Sequence, residues 1–258
     1  MQALDSYLAL AHLLADAAGD AVRPYFRQQV EVKLKGDLSP VTQADAQAEE
    51  TMRTLIRNRF PEHGILGEEE ESFGTERDFV WVLDPIDGTR AFIAGGDQWG
   101  TLVALCHLGQ PVLGIINQPM TQERWVGVTG QATTLNGKAI HPRALGELKE
   151  ATISTTSRNH FTPLQAKAFG KLAESCGSVW AEGDCYAYGD LARGKRDLVV
   201  DAGLKPYDVM ALVPVINGAG GKITSWDGRT PDLNNFTTTL AAAHESLHEA
   251  ALALLNTP

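Results

Sequence analysis

Cysteine is scarce in this chain. Its 258 residues hold three, Cys106, Cys176 and Cys185, with no C-x-x-C pair among them. An odd, scattered set fits neither a disulfide framework nor a zinc ribbon, and reduced thiols are the expectation. Long apolar runs are missing too. Tracts such as Leu102–Cys106 fall far short of the ~20 residues a membrane span needs. The sequence does not open on a basic segment followed by an apolar core, so no signal peptide is expected and the expected location is cytoplasmic. Positive charge is in the minority, with 22 Lys plus Arg against 32 Asp plus Glu and a net charge of −10. Such a balance opposes non-specific nucleic-acid binding, which needs Lys and Arg to neutralise phosphates. It leaves an anionic substrate open, because bound cations reverse the charge of a site locally. G-x-G-x-x-G is absent, which removes the dinucleotide fingerprint.

What is present reads as globular. Hydrophobic residues make up 43% and charged residues 21% of the chain. A chain of this length buries roughly 70–75% of its unfolded surface without a disulfide or structural metal. Leu4, Leu8, Ala11, Ala15, Ala18, Val22 and Phe26 recur at steps of four and three, which predicts a long amphipathic helix ending near Pro24. A second helix is predicted over 44–59, stopped by Pro61. Strands follow at 65–67, 79–83, 101–107, 112–117 and 124–128. After about residue 150, strands and helices alternate, with helices over about 163–175, 184–193, 207–218 and 245–255. The fold class is therefore α/β, with an α+β N-terminal half and an α/β C-terminal half. No linker or repeat divides the chain. One unit over 1–258 is expected, with sub-halves at about 1–148 and about 149–258.

The sharpest motif is Asp84-Pro85-Ile86-Asp87-Gly88-Thr89, directly after the apolar run Phe79–Leu83. With one position free, such a string arises by chance about 10⁻⁴ times in a chain of average composition. Proline stops a central strand, so a turn is expected there, holding Asp84 and Asp87 on one side. Two carboxylates so close repel unless a cation lies between them. Hard cations such as Mg²⁺ take oxygen ligands of this kind together with water and substrate phosphate. A helix starting at Thr89 would offer free N–H groups to an anion. Three further features supply carboxylates. Gly67-Glu68-Glu69 opens a run of four glutamates, otherwise read as a solvated acidic face. Lys35–Asp45 ends on Asp45, otherwise a helix cap. Pro206-Tyr207-Asp208 precedes an apolar run and Gly218-Ala219-Gly220-Gly221, and Asp208 is likewise open to a capping role.

Together these motifs resemble the inositol monophosphatase-type phosphatases, in the magnesium-dependent, lithium-sensitive superfamily that also includes fructose-1,6-bisphosphatase. The resemblance covers about Lys35 to Gly221, and the flanking helices fit it. It implies a layered αβαβα sandwich, two to three Mg²⁺ ions, a small phosphate monoester as substrate, neither nucleic acid nor membrane as partner, and a homodimer. Glu68, Asp84, Asp87, Asp208 and the Ile86 carbonyl would be metal ligands, with Glu69 beside the site or reaching it through water. Asp45 and Thr89 would position and deprotonate the attacking water, with Glu68 taking part in catalysis. Asp87, Gly88 and Thr89 would meet the phosphate. Hydrolysis would proceed by in-line attack on phosphorus, with Mg²⁺ making the water acidic.

Within the family, the branch of histidinol-phosphate phosphatases is most similar. The likeness lies in Trp81–Arg90, Trp99–Leu102, Gly183–Tyr188, Asp197–Asp201 and Leu204–Asp208. Ala91, where that branch is expected to carry serine, and Gly95-Gly96-Asp97 depart from it. A substrate with an ammonium group and an imidazole calls for carboxylates not spent on metal. Asp184 and Asp201 are the proposed contacts, with Asp201 near the amine and Gly183 and Arg90 beside them; the other readings are helix capping for Asp184 and strand-end solvation for Asp201. Trp99 could stack on the imidazole, though an aromatic before a strand is more often core. The alternatives are an inositol-1-monophosphatase, a 3′-phosphoadenosine-type nucleotidase and a non-catalytic regulatory protein on the same fold. His244-Glu245-Ser246-Leu247-His248 matches the H-E-x-x-H zinc-protease pattern. Only Glu249 follows as a third donor, and its place beside His248 points it away. A solvated helix is expected there instead.

Overall fold

A computed structural model describes residues 2–29, 32–34, 40–145 and 147–257. The first five residues of the Lys35–Asp45 motif lie outside the described residues. Two helices come first, α1 (Gln2–Val22) and, after the short pair β1 (Val32–Leu34) and β2 (Pro40–Thr42), α2 (Gln43–Arg59). As Pro24 requires, α1 ends there in a single 3₁₀ turn, Arg23–Tyr25. A seven-stranded sheet follows in sequence order: β3 (Gly64–Gly67), β4 (Phe79–Asp87), β5 (Gly100–His107), β6 (Gln110–Gln118), β7 (Glu123–Val128), β8 (Thr134–Leu135) and β9 (Lys138–Ala139). Only β3 and β4 run parallel in it. Helix α3 (Thr89–Ala94) lies between β4 and β5.

The second sheet has five strands in the order β11-β10-β12-β14-β13. They are β10 (Thr152–Thr155), β11 (Ser178–Ala181), β12 (Leu198–Ala202), β13 (Lys222–Thr224) and β14 (Thr238–Ala242). Its helices are α4 (Pro163–Glu174), α5 (Asp184–Ala192), α6 (Pro206–Val209), α7 (Leu212–Ala219) and α8 (Glu245–Leu255). Parallel pairing of β10 with β11 and β12 needs crossover helices, which α4 and α5 supply.

Side-chain alternation fixes the layers. Along β4, Val80 and Val82 face one core, with α5 to α7, while Trp81 and Leu83 face another, with α1 and α2. Along β12, Val199 turns to the shared central core, and Leu198 and Val200 turn to a third core under α4 and α8. A strand buried on both faces reads as one apolar run, which is why 79–83 shows no polar alternation. The result is an αβαβα sandwich. No helix among the described residues is long and apolar enough to cross a membrane.

Two expectations need correction. Strand β4 does not stop at Asp84 but runs through Pro85 to Asp87. Its register against β5 shifts between Asp84 and Asp87, and the Asp84 carboxylate takes the Ile86 N–H at 3.0 Å. A bulge there lets proline sit in a strand, because no regular ladder is interrupted. The single helix expected over 207–218 is two, α6 and α7. Pro214 has no N–H to return to the carbonyl of Met210, so the helical hydrogen-bond ladder is interrupted while Met210 and Ala211 keep helical φ and ψ.

Candidate active site

The carboxylates converge where β4 ends. Asp84 is buried at the bulge, and Asp87 stands three residues on, just before Gly88 and α3. Asp208 arrives from the first turn of α6, where one oxygen accepts the Lys205 N–H at 2.7 Å. Each of the three offers an oxygen, and these lie within 4.8 Å of one another. Burial pushes the Asp84 carboxyl well above the usual range, and Glu68, Asp87 and Asp208 push it the same way. Asp87 is raised for the same reasons, first by burial and then by Asp184 and Asp208. Asp208 is pushed up to about 7, mainly by burial. Oxygen donors held this close, with mutual repulsion, match what a hard divalent cation needs.

The neighbouring groups are fixed by backbone contacts. The Ile86 carbonyl accepts from Thr89 Oγ1 at 3.0 Å, and the Pro85 carbonyl accepts from Thr101 Oγ1 at 2.8 Å. Gly88, at φ +90°, opens α3. Asp87 Oδ2 accepts the Cys185 backbone N–H at 2.5 Å, so the start of α5 is tied to the cluster. Asp45 helps to cap α2 and lies close enough to Glu68 to feel its charge. Its Oδ2 accepts from the Thr42 N–H at 2.8 Å and the Thr42 hydroxyl at 2.7 Å, closing a capping box at the start of α2. Its Oδ1 is buried with no hydrogen-bond partner. Burial raises its pKa, and Glu68 adds to the rise. Glu68 and Glu69 are half-buried at the end of β3.

Across the cleft, Glu182, Gly183 and Asp184 have φ of +74°, +141° and +40°. Glu182 and Asp184, the two non-glycine residues of the three, store strain in this sparsely populated region, and such strain gathers at functional sites. The turn presses the Asp184 carboxylate against Gly88, where an added Cβ would stand 3.0 Å from Asp184 Oδ2. Asp184 is pushed up to about 7, first by burial and then by Asp201, while Arg90 pulls it down. Arg90 is exposed beside it. Asp201 differs. Its carboxylate accepts from Thr155 Oγ1 at 3.0 Å, the Thr156 N–H at 2.7 Å and Tyr188 Oη at 2.8 Å. A cavity of about 530 Å³ lies between Glu68, Thr89, Arg90 and Asp184, and a deeper one of about 150 Å³ is lined by Asp87, Asp184, Asp201 and Asp208. His160 lines both and was not singled out from sequence, since a lone histidine in a loop carries no pattern.

Trp99 and the two histidines of His244–His248 are structural, as the blander reading of each expects. Trp99 is fully buried and packs on Phe26 and Phe92, so it cannot stack on a ligand. His248 is buried, bonds Thr224 Oγ1 at 2.7 Å through Nε2, and is held down to about 4, mainly by burial. His244 Nε2 accepts the Leu145 N–H at 3.2 Å. The two histidines serve packing, and the face of α8 that carries His248 is buried rather than solvated.

Such a fold with such a site defines a metal-dependent phosphomonoesterase. The particular family follows from comparison with known proteins: the chain belongs to the inositol monophosphatase family, whose model matches residues 3–257. It is 47% identical over 228 residues to the bifunctional phosphatase IMPL2, chloroplastic, of Arabidopsis thaliana; that match covers 88% of this chain and 66% of the plant protein. It is 35% identical to a histidinol-phosphatase of Chlorobaculum parvum, covering 86% of each. A solved inositol monophosphatase from Zymomonas mobilis superposes with a TM-score of 0.90 at 46% identity, over 98% of both chains.

Proposed function

We propose that the protein is a magnesium-dependent histidinol-phosphate phosphatase. The observation that carries the substrate reading is Asp184, a strained, largely buried carboxylate at the mouth of the metal site, held at the junction of the two cavities. A cationic leaving group placed there would meet an acidic wall of Glu182, Asp184 and Asp201. The histidinol-phosphatase of Chlorobaculum parvum, similar along most of the chain, supports the same reading.

Asp84, Asp87, Asp208, Glu68 and the Ile86 carbonyl would hold Mg²⁺, with Glu69 at the margin. The donor set fits, being oxygen throughout and short of positive charge. Mg²⁺ would supply Lewis acidity toward the phosphoryl oxygens, the attacking water and the leaving alkoxide. Asp45 Oδ1, buried and unpartnered, accepts the proton of that water, and Thr89 orients it. Backbone N–H groups at Gly88 and Thr89 receive the phosphate at the start of α3. Asp184, in place of the Asp201 that the sequence suggests, meets the substrate ammonium, with Gly183 setting its turn and Arg90 at the rim. Asp201, already committed to three donors, shapes the inner wall and adds negative potential.

Phosphate release from L-histidinol phosphate, inositol 1-phosphate and a 3′-phosphoadenosine nucleotide, across a Mg²⁺ titration with EDTA controls, tests this. A kcat/KM preference of about 10²-fold for histidinol phosphate is expected if buried carboxylates are left unpaired by the others. A flat profile, or a preference for inositol phosphate, keeps the metal site and discards the substrate.

A further inference from the structure

The acidic loop after β3 poses a physical problem. Four consecutive glutamates, Glu68 to Glu71, repel one another, yet one of them must be held at the metal site. Helix α2 answers it. Asp45, Glu49 and Arg53 stand at i, i+4 and i+8, on one face of the helix. Glu49 and Arg53 are wholly buried and paired at 2.7 Å. Glu49 Oε2 accepts the Glu69 N–H at 2.8 Å, and its Oε1 accepts the Glu70 N–H at 3.0 Å. Arg53 donates to the Glu70 carbonyl at 2.9 Å and to the Glu71 carbonyl at 3.2 Å. One ion pair thus satisfies four backbone groups in three successive residues. Gly67 lets the loop close on it, because a Cβ there would lie 2.0 Å from Glu49 Oε1.

A buried ion pair is weak evidence for stability, since desolvation offsets its attraction. What this pair fixes is position. We propose that Glu49 and Arg53 are positioning residues that set the magnesium affinity of the site, by clamping the loop that presents Glu68 and registering it to the helix that carries Asp45. The proposal rests on Glu68 being a magnesium ligand. Neither residue touches the reacting atoms; both act through the loop backbone. Outer partners that orient a ligand typically change metal affinity by about 10- to 100-fold when altered.

Two conservative variants test it. Glu49→Gln keeps the volume but removes the ion pair and turns an amide NH₂ toward a backbone N–H. Arg53→Lys keeps the charge but loses the planar fork that reaches two carbonyls. Mg²⁺ binding is read by calorimetry, and exchange of the Glu69 and Glu70 amides is read in metal-free protein. The expected result is a Mg²⁺ Kd raised about 10- to 100-fold, faster amide exchange, and activity lost at low Mg²⁺ that returns as Mg²⁺ is raised. Arg143→Met, which weakens a different ion pair, should leave the Mg²⁺ Kd unchanged and so separates positioning from general loss of stability. Should Glu49→Gln fail to fold, Arg53→Lys carries the test. An unchanged Kd in a folded variant overturns the proposal. Glu68→Gln separates the two readings: if it too leaves Mg²⁺ binding intact, the ligand assignment is wrong, and if it alone weakens binding, only the clamp is.

Discussion

Asp84 at the bulge of β4 and Asp197 just before β12 are both buried aspartates, and the protein treats them oppositely. Around Asp84 stand Glu68, Asp87 and Asp208, all of which raise its pKa. Around Asp197 stand Arg143, bonded to both its oxygens at 3.0 and 2.6 Å, and the Thr152 N–H at 2.8 Å. Glu49 belongs with Asp197, its charge met by Arg53 and two N–H groups. Burial is therefore not what marks the site. The mark is burial without a counter-charge, which is costly and persists only where a ligand completes it.

The sharpest way to break this contrast is to remove one charge from each region. Asp87→Asn should lower kcat by about 10³-fold or more, since several kcal/mol of Lewis-acid stabilisation depend on the metal geometry. The same change should leave metal-free protein at pH 8 as stable as before or more so, because it relieves repulsion. Turnover assays and thermal unfolding in EDTA check both halves; near-normal turnover would sink the metal assignment. Arg143→Met should do the reverse. It strips the cation from a buried carboxylate and should destabilise by about 2 kcal/mol, less than for a fully buried pair because Arg143 is half exposed. Denaturant unfolding reads that loss, and turnover per folded molecule should not change.

The contrast also explains what sequence could reveal. Asp84 and Asp87 are three residues apart in a rare string, so their meeting was legible. The apolar run of β4 was legible from its composition; the cap was legible only in part, since Thr42 is the N-cap of α2 and Asp45 closes the capping box from N3. Glu49 and Arg53 sit in the buried stripe with Ala48, Met52 and Ile56, and a charged pair in an apolar stripe is a signal that periodicity carries. It went unread because their partners are backbone groups some 20 positions away, as in the Glu69 contact at a separation of 20 residues. The passage of β4 through Pro85 was equally hidden, since a bulge depends on the register of a neighbouring strand. The strained turn at Glu182–Asp184 rests on two non-glycine residues with positive φ, and residue type alone does not announce that.

Asp184 sits between the two classes, and a smaller effect sharpens its place. Asp184→Asn keeps the shape of the strained turn and removes one charge. The KM for histidinol phosphate should rise about tenfold, the scale of one partly screened charge pair, while the KM for a neutral phosphate ester should hold. Equal shifts for both substrates would return Asp184 to a structural role.

The smallest effect is in pH, and its sign follows from the same raised carboxyls. Asp208 and Asp184 titrate near 7 in the folded protein and near about 3.9 when unfolded. Below the lower value both states are protonated and nothing is lost. Between the two values the unfolded chain releases protons that the folded one keeps, so these groups make metal-free protein less stable as pH rises, levelling off above about 7. His248 works the other way, being held near 4 in the fold, so its contribution grows as pH rises from about 4 to about 6.5. Metal-free stability alone mixes the two trends. The Mg²⁺-induced rise in Tm does not, because the histidine contributes equally with and without the ion. Only ionised carboxylates bind Mg²⁺ well, so that rise should be small at pH 5 and should grow through pH 7 to pH 8. Thermal unfolding with saturating Mg²⁺ and with EDTA at each pH measures it. A Mg²⁺ increment independent of pH would mean that the carboxylates at the end of β4 are already ionised without a cation, and the contrast with Asp197 would lose its electrostatic basis.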